Sequence, residues 1–120
     1  MNENLDVLRY WLSDINFDDG GGEWDISVSC AETDWADWPI SDPLMKAFVC
    51  AELRRKYLER GYGVSTYLYP DGQAQVALAR PAMSFSEHST EVMDTELLAM
   101  IEAGLKLKDA LAEQPTGRGW

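Results

Sequence analysis

The apolar positions of this chain recur with two periods, and the breaks between them fall at turn-forming residues. Leu5, Leu8, Leu12 and Ile15 are three or four apart, with Asn2 or Asn4 placed to cap, and this spacing predicts a helix over about Glu3–Ser13. Asp18-Asp19-Gly20-Gly21-Gly22 breaks the pattern. Trp24, Ile26, Val28 and Cys30 then alternate with Glu23, Asp25, Ser27 and Ser29. Period two is the mark of a strand with one face buried and the other in water. Ile15–Phe17 is placed to be its short hairpin partner. Ala31–Ser41, with Trp35, Trp38 and the acids Glu32, Asp34 and Asp37, reads as a loop.

Asp42-Pro43 supplies an N-cap and a first-position proline, so a second helix starts there and runs to about Arg60, stopped by Gly61. Its first half is apolar through Leu44, Phe48, Val49, Ala51 and Leu53, which marks it as the central packing element with Phe48 buried. Its last turns carry Arg54, Arg55, Lys56 and Arg60, favourable at the negative end of the helix dipole. Val64–Tyr69 and Ala74–Ala79 flank Pro70-Asp71-Gly72-Gln73, which predicts a hairpin. Pro81–Thr90 reads as a second loop, Thr95–Glu113 as a third helix, and Thr116–Trp120 as a mobile tail.

A weak internal echo accompanies these elements. Leu8-Arg9-Tyr10-Trp11-Leu12 resembles Leu53–Leu58, and Trp24–Val28 followed by Pro43–Leu53 resembles Ala74–Leu78 followed by Glu96–Leu107. The expected order is therefore αββαββα. It implies an α+β fold in which three helices pack on a small, mainly antiparallel, four-stranded sheet, formed as one domain over residues 1–115.

Charge changes the picture. The chain of 120 residues carries 21 acids and 10 bases, a formal charge of -11. Eleven of the acids lie between Met1 and Asp42, where Arg9 is the only base, and four of the five tryptophans (Trp11, Trp24, Trp35, Trp38) lie there too. Such a field disfavours nucleic acid and anionic membrane as direct partners. The segment reads either as a solubilising surface around core aromatics or as an acidic interface with aromatic anchors. No apolar run reaches membrane-spanning length and the start has no secretory pattern. Cys30 and Cys50, far apart in sequence, then suggest a reducing cytoplasm and free thiols.

The stretch Pro70-Asp71-Gly72, Val76-Ala77-Leu78-Ala79-Arg80-Pro81, a polar loop, and Leu97-Leu98-Ala99-Met100-Ile101-Glu102-Ala103-Gly104-Leu105 resembles small phage proteins of the phage ABA sandwich domain type. The resemblance covers about Tyr62–Leu107. It implies a phage or prophage origin and a helix–hairpin–helix core, and it brings no catalytic residues. The acidic first third lies outside it.

Candidate chemistry is sparse. His88, the single histidine, lies in the polar stretch Ser86-Glu87-His88-Ser89-Thr90, and no nucleophile motif accompanies it. Asp14-x-Asn16-x-Asp18-Asp19-Gly20, with Asp25 in twelfth place, has the alternating hard oxygens of a calcium loop. Its glycine comes one position late, and an aspartate replaces the closing glutamate. A weak Ca²⁺ site and a plain glycine-rich turn both remain open there. Gly20-Gly21-Gly22 lacks the lysine of a phosphate-binding loop and lies among acids. The Arg54-Arg55-Lys56-x-x-x-Arg60 run reads as a solvated helix end. No metal or cofactor is expected.

These observations favour binding over catalysis. Alternate residues of a strand are roughly 6.8 Å apart, about two base-pair rises of DNA at roughly 3.4 Å each. Glu23 and Asp25, continued by Glu32, Asp34 and Asp37, then imitate a short run of phosphates, with Trp35 and Trp38 as anchors. The expected partner is a basic nucleic-acid-binding protein. The expected class is a non-enzymatic cytoplasmic inhibitor of the anti-CRISPR kind. The rivals are an immunity protein against a basic nuclease toxin and a homo-oligomeric phage assembly protein, for which a homodimer would serve.

Overall fold

A computed structural model describes residues 3–20, 26–30, 35–80 and 88–113, with the backbone alone at 30, 35–38, 112 and 113. The elements are α1 (Glu3–Trp11), β1 (Asn16–Asp19), β2 (Ile26–Cys30), β3 (Trp35–Pro39), α2 (Pro43–Glu59), β4 (Gly63–Leu68), β5 (Ala74–Ala79), β6 (His88–Ser89) and α3 (Glu96–Glu113). The fold is α+β with three helices, as expected. The expected four-stranded sheet is instead two antiparallel three-stranded meanders, ordered β1-β2-β3 and β4-β5-β6. Each follows a helix, so the order is αβββαβββα.

The ladders explain the difference. β1 pairs with β2 from Asn16 opposite Ser29 to Asp19 opposite Ile26, the hairpin the alternation predicts. β3 then pairs with β2 through Ser27–Pro39, Val28–Trp38 and Cys30–Trp35, with a bulge between Val28 and Cys30. The stretch 35–39, expected within a loop, is therefore a strand. Its aspartate and proline suit an outer strand, where one row of backbone groups faces away from the ladder. In the second sheet, β4 pairs with β5 over six consecutive residues, and the two-residue β6 adds to β5. Thr90 extends that pairing: its amide donates to the Val76 carbonyl at 2.9 Å, and its hydroxyl accepts the Val76 amide at 3.1 Å.

Local chemistry sets the element ends. Asp42 accepts hydrogen bonds from the amides of Leu44 (2.9 Å) and Met45 (3.4 Å), and Pro43 opens α2. At its other end Gly61 takes φ +90°, which lets the Gly61 amide reach the Leu58 carbonyl and the Tyr62 amide reach the Tyr57 carbonyl. The hairpin turns at Pro70-Asp71, with the Gly72 amide donating to the Tyr69 carbonyl at 3.0 Å and Gly72 left-handed at φ +93°.

The helix at the centre is α3, not α2 as expected. It packs on α1, α2, β5 and β6. The reason is its small-residue face: Ala99, Ala103 and Gly104 are buried together with Leu97, Met100, Ile101 and Leu107. At Gly104 both other helices come close. Trp11 Nε1 donates to the Gly104 carbonyl at 3.0 Å, and the Tyr57 hydroxyl donates to the Met100 carbonyl at 2.7 Å. The Trp11 and Tyr57 rings meet edge to face at 5.1 Å. A Cβ on residue 104 would collide with the Tyr57 hydroxyl and lie 3.0 Å from Trp11 Nε1. Phe48, expected to be buried, is only half-buried at the margin of this core. α2 instead buries Met45, Val49, Leu53 and Tyr57, each four residues from the last, with Cys50 beside them. No helix among the described residues is long and apolar enough to cross a membrane.

Candidate functional site

Of the residues the sequence marks for partner contact, Glu23, Asp25, Glu32 and Asp34 lie outside the described residues. Trp35, Asp37 and Trp38 lie on the backbone of β3, not on a loop. The register orders them further. Trp38 stands opposite Val28, and Val28 stands opposite Phe17; Phe17 and Val28 are both buried. The neighbouring row runs Asp18–Ser27–Pro39, with Asp18 and Pro39 exposed and Ser27 half-buried. The outer row is thus the polar one, and it carries an acid.

Three acids that sequence reasoning did not place at the site are exposed here: Asp14, just before β1, and Asp18 and Asp19 on it. The Asp-Asp-Gly string reads as a turn, which hid the continuation of the expected Ile15–Phe17 strand through Asp19. Of the stretch likened to a calcium loop, Asn16–Asp19 is an extended strand, and 21–25, with Asp25, lie outside the described residues. Among the described residues no group of three or more histidine, cysteine, aspartate or glutamate side chains is placed to hold a metal ion.

The base nearest these acids in sequence serves the fold. An Arg9 guanidinium nitrogen donates to the Phe17 carbonyl at 2.7 Å, tying the end of α1 to β1. Beside it is an open hollow of about 380 Å³ lined by Arg9, Ser13, Ile15, Asn16, Phe17 and Asp18. Several bases of α2 and α3 also have partners within the molecule. Arg54 meets Glu96 at 3.2 Å, and Arg55 bridges Glu52 at 2.9 Å and Glu59 at 2.6 Å. The hydrogen bond and charge of Glu52, then Glu59 and Asp14, hold the Arg55 guanidinium above its ordinary value. Arg60 lies 5.5 Å over the Trp11 ring, and Lys108 lies 5.3 Å over the Tyr10 ring. Exposed ion pairs of this kind add little stability. They do offset the charge of Arg54 and Arg55 locally.

Of the groups weighed for chemistry, Cys50 and His88 are placed among the described residues. Cys50 is buried, and burial, with the nearby Glu96 carboxylate, pushes its thiol up to about 12. It is therefore held protonated, the opposite of what attack on a substrate needs. The side chain of Cys30 lies outside the described residues. His88 is half-buried on β6, its ring 5.8 Å from that of Tyr62. Trp11, one of the four tryptophans of the acidic third, is a core residue. No family model matches the chain, and no curated protein or solved structure compared with it matches either.

Proposed function

We propose that the chain is a non-enzymatic binding protein, a phage- or prophage-encoded inhibitor whose acidic first third occupies the basic nucleic-acid-binding surface of a host defence protein. The observation that supports this reading is the segregation of charge. Asp14, Asp18 and Asp19 are exposed at β1, while Arg54 and Arg55 are paired with the protein's own glutamates. Glu23, Asp25, Glu32, Asp34 and Asp37 follow β1 in the sequence, and Asp37 lies on β3 of the same sheet. Long-range attraction from such a run speeds encounter with a basic cleft, and an aromatic anchor such as Trp35 slows release.

The test is displacement. The protein is titrated into labelled duplex bound to an RNA-guided surveillance complex and, separately, into duplex bound to a non-specific nuclease. Release of nucleic acid is expected, weakening as salt rises. Changing Asp34 and Asp37 to Asn should slow association and flatten that salt dependence, whereas Trp35→Ala should speed dissociation. Unchanged association at low salt in the Asp34/Asp37 variant would remove the acidic-face reading. Release from the nuclease alone, with a toxin gene adjacent to this one, would favour an immunity protein instead.

A further inference from the structure

The outer strands of the two sheets are built differently. β1 carries Asp18 and Asp19, and β3 carries Asp37 and Pro39 and is bulged against β2. β6 is two residues long. Charge, proline, bulges and shortness are the devices that keep a sheet edge from adding a further strand. β4, Gly-Val-Ser-Thr-Tyr-Leu, has none of them: it is uncharged, free of proline, six residues long and paired to β5 without a break.

Its open edge can be identified residue by residue. The Tyr69 amide donates to the Gln73 carbonyl at 2.9 Å, so alternate residues back along β4 (Tyr67, Ser65, Gly63) bond toward β5. The backbone groups of Val64, Thr66 and Leu68 point the other way, where no strand of the described residues lies. These three residues also occupy the inner face of the sheet, opposite Leu78, Val76 and Ala74, which are fully buried. Yet Val64 and Thr66 are only half-buried, and Leu68 is 59% exposed. The core layer stops one strand short of being covered.

We infer that β4 is the interface of a symmetric dimer, in which β4 of a second copy pairs antiparallel about Thr66 and joins the two sheets into one of six strands. Val64 and Leu68 lie symmetrically about Thr66. A two-fold axis there sets Val64 of each copy beside Leu68 of the other, completing both apolar faces. It also forms a ladder of outward-facing amides and carbonyls at 64–68, 66–66 and 68–64. Charge favours a second copy as the occupant. The hairpin from 63 to 79 contains one charged residue, Asp71, in a chain of net charge -11. In this register the Asp71 turn of each copy comes to the Arg60 end of the other copy's α2, acid toward base at both ends of the ladder. The inference does not rest on the acidic-face reading, which concerns the other sheet.

The test is the mass of the full chain by sedimentation equilibrium from micromolar to millimolar concentration. A monomer–dimer equilibrium is expected. Thr66→Pro removes the amide at the axis without touching a bond to β5, and Thr66→Lys puts two like charges there. Each should give a monomer whose melting curve and circular dichroism stay native. Asp71→Asn, which keeps the acceptor for the Gln73 amide, should raise the dimer Kd by about threefold to tenfold and flatten its salt dependence. A monomer at millimolar concentration overturns the proposal. So does a dimer that survives both Thr66 substitutions, or a mass that grows without limit, which signals open head-to-tail association.

Discussion

The two sheets share a plan and differ in what they offer to another molecule. Both are three-stranded antiparallel meanders entered from a helix, with the strands in chain order. The first is bounded by aspartates and a proline and presents charge outward. The second is bounded by an uncharged strand and presents Tyr67 and Leu68, 63% and 59% exposed. Topology alone therefore does not decide how a sheet meets its surroundings; the few residues on its outer strands do. An acidic edge repels a further strand and attracts a basic surface from a distance. A neutral edge gives no steering and offers short-range hydrogen bonds and apolar contact instead.

What the halves share is the core at α3, and the sharpest way to break the comparison is to disturb it. Gly104→Ala should cost about 3 kcal/mol or more, because the new Cβ displaces the Tyr57 hydroxyl and Trp11 Nε1 from their carbonyl partners. Amide hydrogen exchange should then show both sheets losing protection together. Protection kept in β1–β3 alone would mean that the two halves are separate in energy as well as in charge. Phe48→Ala should cost about 2 kcal/mol by chemical denaturation, less than a fully buried ring would, since Phe48 lies at the margin.

A smaller effect comes from Cys50. Its thiol is raised from 9.0 to about 12 in the folded chain, so the folded state holds the proton more tightly than the unfolded state. That contribution is complete below 9.0 and is lost as pH rises toward 12. Between about pH 8 and about pH 10 the loss should be about 1 kcal/mol, and Cys50→Ala should show a flatter alkaline limb in urea melts. Smallest of all, Asp18→Asn with Asp19→Asn should change stability by less than about 0.5 kcal/mol. The pair should still slow association with a basic partner, which rapid-mixing kinetics at low salt would detect.

Where the local signal is strong, sequence and structure agree. The cap at Asp42-Pro43, the stop at Gly61 and the turn at Pro70-Asp71-Gly72 each depend on a few adjacent residues, and each falls where the sequence places it. β3 was not legible because Trp-Ala-Asp-Trp-Pro has neither clean alternation nor a β-branched residue; it is held by its neighbour rather than by propensity. β6 is too short to carry any period. The rank of α3 is hidden in the sequence for a different reason. Large apolar residues do not separate α2 from α3, with seven in each, whereas close approach of three helices needs the small ones, Ala99, Ala103 and Gly104. At the candidate site the excess of acid was plain from composition. Which acids face outward was not, because it depends on a register that runs on into an apparent turn.

The bond between Trp11 and Gly104 joins residues 93 positions apart. Contacts so distant in sequence form late, because the intervening chain must be ordered before they repay its lost entropy. On the ribosome, α1, β1 and β2 emerge well before α3, so Trp11 has no carbonyl to bind and no small-residue face to enter until nearly the whole fold has been synthesised. During that interval the apolar side of α1 waits uncovered, while the dense negative charge of the same segment keeps nascent chains apart. The acids of the first third would then act on two timescales: first guarding an unfinished chain, and afterwards shaping the surface of the finished one.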